Sequence, residues 1–369
     1  MSRRRGGAPK PVITGVRPVL VTGGAGFIGC NLVDRLTRDG HHVIVYDALS
    51  RSGVDENLAW LKERHPEKIT AMIADIRDRA ALAEATSRAQ AVFHYAAQVA
   101  VTTSMVDPFE DFEVNACGTL LLLDALRRRE EPPPLIFAST NKVYGGLEDI
   151  ALDCVDDAYL PRDPTLRRYG VSEDRPLDFH TPYGCSKGCA DQYVLDWARS
   201  FGVPTVVLRM SCIYGPHQRG TADQGWVAHF ARQALACRPL TIYGDGKQVR
   251  DVLHVRDAVE AYIAAWRHSP RVQGRAFNLG GGPANAVSLL QIIAEIEKRL
   301  RQKIKLLFED WRPGDQRYFV ADTRRAQQAL GLGPALEWRR GLADLTDWLL
   351  EAERSPLQTR NPASVELAS

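Results

Sequence analysis

Pro18-Val-Leu-Val-Thr-Gly23-Gly-Ala-Gly26-Phe-Ile-Gly29 is the stretch on which the reading of this chain turns. An apolar run, Pro18–Val21, enters a glycine-rich turn, and an amphipathic helical pattern, Phe27–Arg38, opens at once. Gly23 permits a sharp turn, Gly26 lets backbone approach a pyrophosphate, and Gly29 lets the helix pack on the strand. The free N–H groups of the helix start, with Phe27 and Ile28 beside them, then hold the anion. Eighteen residues past Gly29 the next apolar run ends at Asp47. A carboxylate there accepts both hydroxyls of an adenine ribose and repels a 2′-phosphate, so the expected cofactor is NAD rather than NADP, with Arg51 as the opposing feature. A glycine turn without a ligand is the alternative, and its place at a first strand–helix junction argues against it. Asp75 and Ile76, after the third apolar run, are expected to flank the adenine, or else to cap a helix. Ala96, Ala97 and Gln98, after the fourth, offer small side chains where backbone meets the cofactor, or merely pack tightly.

Outward from this turn, Pro18–Val21, Val43–Tyr46, Ile69–Ile73, Ala91–His94 and Leu135–Ala138 are short continuous apolar runs separated by helical patterns, including Phe27–Arg38 and Phe112–Arg128. Runs without period-2 alternation suit strands buried on both faces. The expected fold is α/β, a doubly wound parallel sheet of Rossmann type with a smaller mixed α/β C-terminal substrate lobe. Residues 146–180 show little periodicity and read as a long functional loop. A helix Tyr183–Phe201, a strand Thr205–Leu208 and later helices Leu289–Arg301 and Gly341–Glu351 follow. The expected organisation is a disordered basic arm at 1–17, the cofactor domain at 18–210, the substrate lobe at 211–353 and a polar tail at 354–369. A segment near 241–258 is expected to return to the first domain.

At 369 residues and 45% hydrophobic, the chain suits two domains, or one large domain with a lobe. Its net charge of +2 is uneven: residues 1–17 carry five cations and no acid, leaving −3 for the rest. A mildly acidic body is a poor nucleic-acid binder. No apolar run of about 18 residues is present, and no apolar segment follows the N-terminal arginines, so neither a membrane span nor a signal peptide is expected. Seven scattered cysteines without a Cys-x-x-Cys pair suit reduced thiols in a cytoplasm. The histidines show no ligand-like spacing, so no metal is expected.

Tyr183-Gly-Cys-Ser-Lys187 places a phenol and an ammonium on one helix face. A nearby Lys187 ammonium and a positive nicotinamide are expected to favour phenolate, making Tyr183 a base. Ser139-Thr140 end the fifth apolar run, where hydroxyls face the ligand crevice of a parallel sheet. Thr140 can share the hydrogen bond of a substrate hydroxyl with Tyr183, and Lys187 can hold a nicotinamide-ribose hydroxyl. The three specify hydride transfer from a carbon whose hydroxyl loses its proton.

Over about residues 18–353 the chain resembles the extended short-chain dehydrogenase/reductase family, in its NAD-dependent epimerase/dehydratase branch. Further pieces of the resemblance are Asn115-Ala-Cys-Gly-Thr119, Arg250-Asp-Val-Leu-His254 and Arg312-Pro-Gly-Asp315-Gln-Arg317. The resemblance implies a triad of Thr140, Tyr183 and Lys187, with Arg250 and Arg312 meeting a nucleotide diphosphate; ion pairing between the lobes is the alternative for both arginines. A 4,6-dehydratase needs an acid pair after the strand-five hydroxyl, where this chain has Asn141 and Lys142, so epimerisation or simple oxidation remains. Ser139-Thr-Asn-Lys-Val-Tyr-Gly145, Asp178-Phe-His-Thr-Pro-Tyr-Gly-Cys-Ser-Lys-Gly188, Asp223-Gln-Gly-Trp-Val227 and Gly246-Lys-Gln-Val-Arg-Asp-Val-Leu-His254 are similar to the 2-epimerases of CDP-activated hexoses, with Thr181 where serine is usual. The implied reaction is transient oxidation at C2 and return of the hydride to the other face, with tightly held NAD. Asn141, Lys142, His180, Arg209, Gln224, Trp226, Arg250 and Arg312 are the expected substrate residues; core packing is the alternative for Trp226. A UDP-sugar 4-epimerase or decarboxylase is the competing reading, and a non-catalytic NAD-binding protein a further one. The implied partners are a CDP-sugar and further copies of the chain, as a dimer or tetramer built on the helices Phe112–Arg128 and Tyr183–Phe201.

Overall fold

The structure is a computed structural model that describes residues 17–354. The basic arm and the polar tail lie, apart from Arg17 and Arg354, outside the described residues.

The chain begins β1 (Val19–Thr22), α1 (Phe27–Arg38), β2 (Val43–Asp47), α2 (Val54–Arg64), β3 (Ile69–Ile73), α3 (Arg79–Thr86) and β4 (Ala91–His94). Next come α4 (Val101–Val106), α5 (Pro108–Phe112), α6 (Gly118–Arg127) and β5 (Leu135–Thr140). A hairpin of β6 (Leu152–Val155) and β7 (Ala158–Pro161) and a short α7 (Pro164–Tyr169) lead to α8 (Thr181–Phe201) and β8 (Thr205–Met210). The second half holds β9 (Cys212–Tyr214), α9 (Trp226–Leu235), β10 (Leu240–Tyr243), β11 (Val249–His254), α10 (Val255–Val272) and β12 (Arg275–Leu279). It closes with β13 (Ala286–Ser288), α11 (Leu289–Leu300), β14 (Leu306–Glu309), β15 (Tyr318–Phe319), α12 (Arg324–Leu330) and α13 (Trp338–Arg354).

Seven parallel strands form the main sheet in the order β12-β8-β5-β4-β1-β2-β3. The continuous apolar runs have a direct cause. Val19 and Val21 feed the core on one face while Leu20 feeds the other; Phe93 and Val92 divide likewise, as do Ile136 and Leu135. Both faces are covered by helices, so neither alternate position can be polar. The order reverses between β1 and its neighbours β2 and β4, which opens a crevice at their carboxyl ends. The site lies there.

Three expectations are corrected. The helix expected over Phe112–Arg128 is interrupted: a wide π turn, Glu113–Cys117, separates α5 from α6 and turns the Asn115 amide into the interior. The long loop at 146–180 contains the β6–β7 hairpin and α7, whose N-terminus is capped by the Asp163 carboxylate. These pieces are too short to show periodicity in sequence. The return to the main sheet falls later than 241–258. β10 pairs with β14, and β11 with β9, β13 and β15, outside that sheet. The chain rejoins it through α10 and β12, because Ala258, Val259, Ala261, Tyr262 and Ala265 give α10 an apolar face that completes the layer over β1, β4 and β5. The second lobe keeps its own core around Phe230, Ile242, Ile293 and Leu345.

Candidate active site

A cleft of about 720 Å³ runs along the carboxyl ends of the main strands. At its cofactor end, Gly23 has φ +67°, and a β-carbon there would sit 2.7 Å from Ala96 N. A β-carbon on Gly29 would reach Gly23 O at 2.2 Å, so these two glycines are required by the fold itself. Gly26 differs: its β-carbon would meet Gly23 O at 3.1 Å and nothing closer. The approach is tight without being a collision, and no other protein atom beyond its chain neighbours comes within 4 Å. Asp47 ends β2 with one carboxylate oxygen accepting Ala25 N–H (3.0 Å) and the other Leu49 N–H (2.9 Å). Burial raises its pKa, and these backbone donors oppose the rise. Phe27, Ile28, Ala96 and Ala97 line the cleft beside it. Asp75 and Ile76 line it too, with Asp75 held below the usual carboxylate range by Arg77 at 2.7 Å. These features form a cradle for a dinucleotide, and the carboxylate of Asp47 fits an unphosphorylated ribose.

At the other end, α8 brings Tyr183 and Lys187 beneath the end of β5. Thr181, at φ +64°, makes the sharp entry into the helix, and its hydroxyl accepts Gly184 N–H (3.3 Å). The Ser104 hydroxyl accepts Tyr183 N–H (3.2 Å). Thr140 and Tyr183 are both buried at the cleft wall. Burial pushes the Tyr183 phenol up to about 12, opposed by the hydrogen bond from Thr140. Lys187 is pulled down to about 7 by burial, with Asp191 and Asp111 opposing. Its Nζ donates to Ala138 O (2.8 Å) and lies 4.2 Å from the centre of the Phe137 ring. In the ligand-free chain desolvation is the largest influence on both groups.

Of the two hydroxyls ending β5, Ser139 is committed elsewhere, donating to Asp191 Oδ2 (2.7 Å). Asn141 and Lys142 line the cleft and are tied to the second lobe: Asn141 Nδ2 donates to Gln316 Oε1 (2.9 Å), and Lys142 Nζ to Gly314 O (2.9 Å). Gln224 and Trp226 line it from above.

Five expected residues lie off the cleft. Gln98 fastens its own turn through Ala100 and donates to Asp111 Oδ1 (2.8 Å). Arg209 is buried and bidentate on Asp191 (3.0 and 2.9 Å), so its charge is already satisfied. Arg250 is held by Asp315 at 2.7 Å, a carboxylate that Lys142 approaches at 3.8 Å. His180 is half exposed and pairs with Asp178 at 3.0 Å. Arg312 faces a neighbouring hollow with Tyr243, Phe308 and Trp311, its guanidinium 3.8 Å from the centre of the Tyr243 ring.

The structure adds residues that the sequence reading missed. Asp111 is fully buried behind Tyr183 and Lys187, accepting from the Ser186 hydroxyl, Gln98 and Asn115. The Asn115-Ala-Cys-Gly-Thr119 word was its nearest signal. Cys212 lines the cleft under Trp226, whose Nε1 donates to its sulfur (3.3 Å). Among the described residues, no group of three or more His, Cys, Asp or Glu is arranged to hold a metal ion, and no helix is long and apolar enough to cross a membrane.

The model of the NAD dependent epimerase/dehydratase family matches residues 19–280. The chain is 40% identical over 337 residues to the CDP-paratose 2-epimerase of Salmonella typhi, covering 89% of this chain and 98% of that one. The UDP-glucose 4-epimerase of Thermotoga maritima with UDP-glucose superposes with a TM-score of 0.78 at 29% identity, covering 91% of this chain and 99% of that one. The UDP-glucuronic acid 4-epimerase of Bacillus cereus, in complex with UDP-glucuronic acid and NAD, gives the same TM-score and coverage at 27% identity.

Proposed function

Because this chain belongs to the NAD dependent epimerase/dehydratase family, we propose that it is an isomerase that inverts one carbon of a nucleotide-activated sugar, C2 of a CDP-hexose such as CDP-paratose. The observation that carries the reading is that Thr140, Tyr183 and Lys187 line one cleft with the glycine turn, with Asn141 and Lys142 following Thr140. Elimination of water needs a carboxyl acid and a carboxylate base at the sugar. An amide and an ammonium at those positions leave proton transfer at a single hydroxyl. The match to a 2-epimerase at 40% identity across nearly the whole of both chains supports C2 and CDP.

NAD is the cofactor this reading requires, with Gly23, Gly26 and the start of α1 holding the pyrophosphate and Asp47 the adenine ribose. When bound, it supplies a positively charged, reversible two-electron acceptor facing the sugar. Thr140 orients the substrate hydroxyl, and Tyr183 takes its proton and later returns it. Lys187 holds the nicotinamide ribose and keeps positive charge near the phenolate. Asn141 and Lys142 steady the sugar while it reorients. Arg312 and Tyr243, in the neighbouring hollow, take the diphosphate and the base. The assembly is a homodimer or a tetramer: α5 and α8 expose Phe109, Phe112 and Tyr193, which a second copy covers.

A panel of CDP- and UDP-hexoses, followed by proton NMR with holoprotein, tests the substrate class. Inversion at C2 of a CDP-sugar is expected. Inversion only at C4 of a UDP-sugar would replace this reading with the competing one.

A further inference from the structure

Residues 215–225 join β9 to α9, and His217 to Thr221 and Asp223 to Gly225 line the cleft. The base of this loop is pinned. Asn31 Nδ2 donates to Pro216 O (3.0 Å), and the His217 ring, on a backbone of φ +68°, lies between Trp60 and Trp348 with centroids 4.0 and 5.1 Å away. The tip is open: Thr221, Ala222 and Asp223 are exposed, and the turn closes on itself through Thr221 N–H to Gln224 O (2.9 Å). Two side chains of the tip reach opposite walls. Gln224 accepts a hydrogen bond from Arg51 on the cofactor side, and Asp223 pairs with Arg312 at 3.6 Å on the other. Asp223 lines the cleft and Arg312 lines the hollow, so their ion pair joins the lining of one cavity to that of the other.

We propose that the Asp223–Arg312 pair is a gate between the two cavities, in which Asp223 occupies Arg312 until the diphosphate of a nucleotide sugar takes its place. This rests on the reading above, in which the sugar lies at Thr140 and Tyr183 and the nucleotide in the Tyr243 hollow. A molecule spanning the two must thread its diphosphate past Asp223, whose carboxylate repels it. The exchange is favourable because the pair is weak and the replacement strong. Its atoms are 3.6 Å apart and half of the Asp223 side chain is in solvent, whereas a diphosphate offers Arg312 bidentate, charge-assisted hydrogen bonds. A displaced Asp223 leaves the tip free to settle over the bound diphosphate, with the pinned base as its hinge. Asp223 is thus a positioning residue that lowers the affinity for nucleotide diphosphates in general and makes entry into the site conditional on a ligand able to hold Arg312.

The test is calorimetric titration of the holoprotein with CDP at low and high salt, using wild type, Asp223→Asn, Asp223→Ser and Arg312→Ala, with bound NAD as the check on folding. Both Asp223 variants are expected to bind CDP about threefold more tightly at low salt, the gain fading at high salt. KM for the nucleotide sugar falls with it. Arg312→Ala weakens CDP. Weaker or unchanged binding by the Asp223 variants, with Arg312→Ala still weakened, overturns the gate and leaves the nucleotide reading standing. CDP binding that is absent from wild type, or indifferent to Arg312→Ala, overturns both.

Discussion

Two groups, Tyr183 and Lys187, hold ligand-free pKa values far from the ordinary, both because burial disfavours their charged forms. A phenol held up at about 12 is a poor base until positive charge arrives beside it, which ties its activation to cofactor binding. Tyr183→Phe is expected to reduce turnover by about 10²-fold or more while bound NAD is unchanged, as assayed on purified holoprotein. The lysine makes a pH prediction for the cofactor-free protein. Above pH 10.5 neither the folded nor the unfolded chain holds its proton; between there and about pH 7 the unfolded chain binds one that the folded chain refuses. Lys187 therefore costs stability increasingly as pH falls through that window, by up to about 1.4 kcal/mol per pH unit. Urea unfolding of wild type and Lys187→Met should show the variant's advantage growing from pH 10 to pH 7; a constant difference would remove the buried-lysine account. Thr140, Tyr183 and Lys187 were legible in sequence because each sits in a short word whose spacing fixes its neighbours. The pairing of Arg209 with Asp191 and of Arg250 with Asp315 was not, because a charge within a motif does not reveal a partner far along the chain.

Within the β1–α1 turn, the three glycines answer to different demands. Gly29→Ala is expected to destabilise the protein by about 1–3 kcal/mol, since its β-carbon would collide with backbone at 2.2 Å. Gly26→Ala is expected to cost less stability than Gly29→Ala and to carry less NAD, because its β-carbon would project into the proposed cradle. Thermal unfolding of both apoproteins, paired with NAD content, separates the two; a Gly26→Ala protein with full NAD would contradict the cradle. The strands of the first half were legible for the reason that makes them core: burial on both faces leaves a continuous apolar run. β12 was not legible, because Arg275 and Asn278 break its apolar pattern and its place in the sheet is set by α10 and by pairing with β8. The π turn was equally hidden, since it owes its existence to Asn115 meeting Gln98, Asp111 and Ser186.

The whole molecule places two kinds of chemistry on one parallel sheet: a cofactor cradle at the strand-order reversal, and a substrate wall built where the second lobe returns over β5 and β8. Within a mildly acidic body, some arginines are held in buried pairs, such as Arg209 on Asp191, while Arg51, Arg77 and Arg219 line the cleft. Assembly belongs to this scale as well. Phe112→Glu with Tyr193→Glu is expected to convert the proposed oligomer to monomer in light scattering, and an unchanged mass would move the interface elsewhere. In the proposed reaction the sugar is oxidised and re-reduced at one carbon within a closed site, and a CDP-hexose deuterated at C2 follows that hydride. The predicted result is a C2-inverted product that keeps its deuterium at C2 in ordinary water, with no free CDP released; loss of the label to solvent, or inversion at C4 with C2 untouched, would contradict it.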